Sequence, residues 1–209
     1  MDSQQREAKQ RELAELQARA EALQVELSAA DAAWRPQGYY AAYYATTGFM
    51  LGAFGAAASL LLNIVGSLVV GQHPLRLIQI YLTFPLGEQA LAEDMQSGLT
   101  LAIGCCLYLG TGMLLGVPFY LAMTRMIQGD ANATLAKRLL IATAFALVIW
   151  VFNFYVVLAW LQPLLFGGNW IVEQIPPAIA CLTHLVFGWT MAMVYRWGLY
   201  EPYRLQTEA

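Results

Sequence analysis

Four long windows of this chain hold no Asp, Glu, Lys or Arg: Pro36 to Leu75, Met95 to Thr124, Leu139 to Val172, and Gln174 to Tyr195. No other feature restricts the possible folds as much. A soluble domain carries about 25% charged residues, because its whole surface meets water. Here the figure is 12%, against 59% hydrophobic residues, so an apolar solvent must cover much of the chain. A helix needs roughly 20 apolar residues to cross hydrocarbon. Each window has room for one crossing and none has comfortable room for two. The expectation is an all-α integral membrane protein, a four-transmembrane-helix bundle with spans at about 45–70, 98–123, 139–161 and 175–197.

The charges lie between and around these windows. Residues 1–35 are rich in Ala, Leu, Gln, Glu and Arg, with no Gly or Pro before Pro36, and read as one helix. Leu13, Leu16, Ala20, Leu23, Leu27 and Ala30 recur at alternating steps of three and four, which fits a coiled-coil seam. Glu7 with Arg11, and Glu15 with Arg19, are acid-before-base pairs four apart. Arg35-Pro36-Gln37-Gly38 is expected to end this helix. These residues are charged and helical, so no removable signal peptide is expected and the first span must direct insertion. Residues 36–200 form the membrane domain and 201–209 a short tail.

Basic residues set the orientation. Arg76 alone lies between the first and second spans, and the other ten of the 11 Lys and Arg lie before span one, between spans two and three, or at the end of span four and beyond it. The positive-inside rule then places both termini in the cytoplasm, as an even number of spans also requires. Tyr39, Tyr40, Tyr43 and Tyr44 form an aromatic belt at the start of span one. Residues 75–85 are apolar but too short to cross, and suggest an outer interfacial or re-entrant helix. With no eukaryotic sorting signal and little loop, the plasma (inner) membrane of a bacterium is the expected location. The stretch from Thr183 to Arg196 resembles the last helix of small bacterial membrane proteins, which implies a span there and no particular role.

Small residues recur on the span faces: Gly48 and Gly52 in the first, Gly112 and Gly116 in the second, Ala180, Gly188 and Ala192 in the fourth. In lipid such faces let helix backbones approach closely. Polar residues inside spans are few, chiefly Asn63, Asn153, Thr183 and His184. His184 lies about 13 Å along the helix from Ile175, near mid-depth, where Asn153 also falls. One reading of His184 is a hydrogen bond to Asn153 or a carbonyl. Another is a haem or chlorin ligand, with Gly188 making room for the macrocycle. His73, Arg76, Glu88 and Glu173, with Glu93 and Asp94, form a polar cluster at the outer face.

Several classes of function are disfavoured. A net charge of −3 gives no basic surface for nucleic acid. Cys105, Cys106 and Cys181 have no metal-ligand or dithiol spacing. No hydrolase, metalloprotease, phosphate-loop or dinucleotide signature occurs, so no catalytic residue is assigned. No carboxylate, Lys or Arg is expected deep in a span, where ion-coupled transporters need one. The leading expectation is a non-enzymatic accessory, scaffold or assembly subunit, whose partners are the bilayer and other membrane chains or further copies of itself. No cofactor is expected under that reading. The alternatives are a small carrier or channel lined by Asn63, Thr111, Asn153 and His184, and a haem- or chlorin-binding subunit.

Overall fold

The structure is a computed structural model that describes residues 3–33, 37–92, 95, 98–127 and 132–200. The side chains of the aromatic belt's Tyr39 and Tyr40 and of Glu7 and Ala30, and the whole of Glu93, Asp94 and the tail, lie outside what it describes. The described chain is helical, without strands. It divides into two units, residues 1–40 and 41–209.

In the first unit α1 (Ser3–Ala33) is one uninterrupted helix of strong helix formers. Leu13, Leu16, Leu23 and Leu27 of the apolar stripe are all at least half exposed. The next helix, α2 (Gln37–Val69), is a separate element that includes Gln37 and Gly38, while Arg35 and Pro36 of the expected break lie outside the described residues.

Four helices in the second unit are long and apolar enough to cross a membrane: Ala41–Val69, Gly98–Ile127, Leu135–Phe166 and Pro177–Gly198. The class these define is a multi-pass, all-helical membrane protein. Large apolar side chains stand exposed on each of them, among them Leu61, Leu114, Val148 and Met193. Water would penalise such a surface heavily, and hydrocarbon does not.

The second crossing is α5 (Gly98–Ile127) and the fourth begins as α9 (Pro177–Val194), with Pro177 at its first position where a missing N–H costs least. The third is not a uniform helix. It starts as α6 (Leu135–Val151), capped by Thr134, whose hydroxyl accepts from the Lys137 amide at 3.3 Å. It widens to a π-helical stretch over Phe152–Leu158 and returns to α-helix as α7 (Ala159–Phe166). Gly167, at φ 78°, ends it with its amide on the Pro163 carbonyl at 2.9 Å.

Between the first two crossings the chain forms α3 (Arg76–Tyr81), α4 (Thr83–Leu86) and a 3-10 turn at Gly87–Leu91. A short α8 (Trp170–Gln174) precedes the last crossing. Ile78, Gln79, Ile80, Leu82 and Thr83 are all buried, so α3 and α4 are enclosed by protein on more than one face. Ile78 and Leu82 lie over Gly104 of α5, in the space its missing Cβ leaves.

Two cores result. The larger joins Leu51, Phe119, Tyr120, Met123, Ala142, Ala146, Met191 and Tyr195, and the smaller gathers Ile78, Leu82, Ala90 and Leu101. Near the larger core Arg138, in the first turn of α6, is buried. Its Nη1 donates to the Ala192 carbonyl at 3.1 Å and its guanidinium lies 5.9 Å from the Tyr195 ring centre. A cation there meets the carbonyl end of α9 and the face of an aromatic ring, both favourable to it.

Candidate functional site

A partly enclosed cavity of about 120 Å³ lies within the second unit, and every one of its four long helices contributes to the wall. It ends against Leu77 and Tyr81 of α3 and Ile171 of α8. Most of the lining is apolar, with a few polar groups on opposing walls, the usual make-up of a small-molecule site.

One wall is built from α3, α5 and α2. The Tyr81 hydroxyl is hydrogen-bonded to Thr111 Oγ1, and Thr111 Oγ1 reaches the Leu107 carbonyl at 3.0 Å. Thr111 has a single hydroxyl hydrogen, which the carbonyl takes, so Tyr81 is the donor in the first bond. Burial pushes the Tyr81 phenol above its ordinary pKa. Next to it, Ser59 Oγ donates to the Ala56 carbonyl and lies 2.9 Å from the Tyr108 hydroxyl. By the same count, Tyr108 donates to Ser59. The Tyr81 and Tyr108 rings meet edge to face, 5.5 Å apart.

The opposite wall comes from the π-helical stretch and α9. His184 Nδ1 lies 2.7 Å from the Ala180 carbonyl one turn earlier. A carbonyl only accepts, so Nδ1 carries the hydrogen. Asn153 Nδ2 approaches Nε2 at 3.5 Å and offers it only hydrogens. His184 is therefore the neutral Nδ1–H tautomer, with the Nε2 lone pair toward Asn153. Asn153 owes its place to the widened helix, since an extra residue per turn changes which side chains face inward.

Asn63 joins the two walls from outside the cavity lining. Its Nδ2 donates to the Ser59 carbonyl at 2.7 Å and to Thr183 Oγ1 at 3.2 Å, and Thr183 donates to the Ile179 carbonyl. Asn153, His184, Thr111, Ser59, Tyr81 and Tyr108 thus line one cavity, and Asn63 lies outside its lining, bonded to the Ser59 carbonyl and to Thr183.

The glycines have a different task. A Cβ on Gly48 would come within 2.6 Å of the Gly116 carbonyl oxygen, and one on Gly116 within 2.7 Å of Gly52 Cα. One on Gly112 would collide with Ala56, so α2 and α5 meet backbone to backbone along this seam. On α9, Ala180, Gly188 and Ala192 are buried. Gly188 faces α6, where a Cβ would meet Ala146 Cβ at 3.0 Å and the Ala142 carbonyl oxygen at 3.1 Å. The room that Gly188 leaves is filled by a helix.

Arg76 donates to Gln79 Oε1 at 2.7 Å and to Gln174 Oε1 at 2.8 Å, tying α3 to α8, while Glu88 and Glu173 are exposed. His73 Nδ1 accepts from the Leu75 amide and shapes the turn. Among the described residues no group of His, Cys, Asp and Glu is arranged to hold a metal ion.

Sequence reasoning passed over Gln162, which lies one residue beyond the expected end of span three. It is fully buried. Its Nε2 donates to Thr83 Oγ1 at 3.0 Å and its Oε1 accepts from the Ile171 amide at 3.1 Å, so one side chain fastens α7, α4 and α8 together. It also passed over Tyr81 and Tyr108, because a tyrosine in an apolar run reads as packing. Their partners Thr111 and Ser59 lie 30 and 49 residues away on other helices, so the sequence carried no signal of the pairing.

No known protein family, curated protein or solved structure matches the chain.

Proposed function

We propose that this protein binds a small, uncharged, largely apolar molecule inside its membrane domain, as a carrier does. The observation that carries this reading is the cavity itself, about 120 Å³, lined mostly by apolar side chains with a few hydroxyls, His184 and Asn153 among them. An engineered apolar cavity of about 150 Å³ takes up benzene, so a site of this size suits one ring or a short chain. A haem or chlorin is far larger, and the space beside Gly188 that would have admitted one is occupied by α6. No Asp, Glu, Lys or Arg lines the cavity, which favours a neutral ligand over an ion.

The test uses the full chain in detergent with fluorobenzene as probe, read by fluorine NMR. A saturable bound signal is expected in the wild type and in Val148→Trp, whose site is exposed. It should vanish in Ile149→Trp, which fills the cavity from α6. Equal binding by all three would reduce the signal to micelle partitioning and remove the proposal.

A second reading, the accessory or assembly subunit, is favoured by α1. Leu16 is 60% exposed and Leu23 50% exposed on a stripe with heptad spacing, and a partner chain or second copy would bury them. Leu16→Glu with Leu23→Glu should then reduce the yield of any co-purifying chain and leave membrane insertion intact. Under either reading both termini face the cytoplasm, so reporters fused at the C-terminus and at Gly168 should report opposite sides. The same side for both would break that orientation.

A further inference from the structure

We infer that the cavity selects a neutral molecule that donates a hydrogen bond, a hydroxyl-bearing ring or short alcohol, and that His184 Nε2 receives that hydrogen. This rests on the cavity being a binding site and adds the chemistry of its ligand.

The inference follows from where the hydrogens around the cavity already point. Thr111 directs its hydroxyl hydrogen to Leu107, Ser59 to Ala56 and Thr183 to Ile179, all backbone carbonyls of their own helices. Tyr81 and Tyr108 direct theirs to Thr111 and Ser59. Both amide hydrogens of Asn63 are committed, to the Ser59 carbonyl and to Thr183. Every hydroxyl on the walls has thus donated within the protein. What the hydroxyls and His184 still offer a ligand is lone pairs, on the two phenol oxygens and on Nε2, against one N–H of Asn153, whose other hydrogen faces Nε2.

Nε2 is the strongest of these acceptors. It is held in the accepting tautomer by the Ala180 carbonyl, and its contact with Asn153 is at the outer limit of a hydrogen bond. A ligand hydroxyl would meet an acceptor with its proton already placed on the far nitrogen. A ligand with only acceptors, such as an ether or ketone, could take only that Asn153 N–H and would otherwise find lone pairs facing lone pairs. Because each missing partner in a buried site lowers affinity, the difference reads as selectivity.

Phenol and anisole test this, since they share a ring and differ in the hydroxyl hydrogen. Phenol should displace fluorobenzene about tenfold more effectively than anisole, the worth of one hydrogen bond in a buried site. The chain has two histidines, so the ring nitrogens of His184 can be assigned by comparison with His73→Gln. Phenol should move the His184 Nε2 resonance upfield in a saturable way, and anisole should leave it in place. His184→Leu should bring phenol down to the level of anisole, and the wild-type resonance stands whether or not that variant folds. Equal displacement by phenol and anisole would overturn the selectivity while leaving the cavity as a binding site. A phenol preference with no movement at Nε2 would overturn the assignment to His184. No saturable fluorobenzene signal at all would remove the site and this inference together.

Discussion

Two contacts within the second unit use inward-facing residues in opposite ways. Between α2 and α5 the chain gives up side chains: Gly48, Gly52, Gly112 and Gly116 bring backbone against backbone, and no added carbon fits. Between the π-helical stretch of the third crossing and α9 it keeps polar side chains and leaves space between them. Lipid tails give apolar helices no hydrophobic reason to associate, so helix contacts rest on close packing and on hydrogen bonds. The glycine seam takes the first route and the cavity wall depends on the second. A seam of this kind tolerates no added volume, whereas the cavity wall tolerates volume but not a change of hydrogen-bonding character.

The contrast breaks most readily at the seam. Gly116→Leu places a branched side chain against Gly48 and Gly52 and should cost about 3 kcal/mol or more, seen as loss of a cooperative melt in detergent. Gly110→Leu, where a Cβ meets no atom within 4 Å, should stay within about 0.5 kcal/mol of wild type. Similar melting of the two variants would mean that α2 and α5 do not meet by their backbones.

A smaller effect is expected at the α4 and α8 end. Gln162→Leu leaves Thr83 and the Ile171 amide without their partner in a buried place and should cost about 2 kcal/mol. Its melting temperature should fall while the seam variants' ranking is unchanged, since the two sites share no contact partner.

Smaller again is the effect at the cavity wall. His184→Leu removes the partner of Asn153 and should cost about 1 to 2 kcal/mol. His184→Gln retains a donor and an acceptor and should stay within about 0.5 kcal/mol of wild type. Equal losses for the two variants would show that shape and not hydrogen bonding governs this wall. The smallest change belongs to α1: Leu16→Glu with Leu23→Glu, both on exposed positions, should shift the melt of the second unit by less than about 0.5 kcal/mol.

Much of the fold was legible because hydrocarbon excludes charge so strongly. The gaps in Asp, Glu, Lys and Arg announce four apolar helices without reference to any pairing between them. His184, Asn153 and Asn63 could be singled out for the same reason, as polar groups in apolar runs. Widening of the third helix at Phe152–Leu158 could not be foreseen, since hydropathy does not distinguish five residues per bond from four. Arg138 reads as a loop cation, yet it packs under the carbonyl end of α9, a position set by tertiary contact. Gln162 was hidden by its place at the edge of a span, where a polar residue ordinarily faces water.

The binding of a ligand between the two polar walls is the central claim, and anomalous scattering tests it most directly. A crystal of the full chain grown with 4-iodophenol should show iodine density inside the cavity, with the phenol oxygen within hydrogen-bonding distance of His184 Nε2. Iodine found only on the outer faces of the helices, around side chains such as Leu61, Leu114 or Val148, would contradict it.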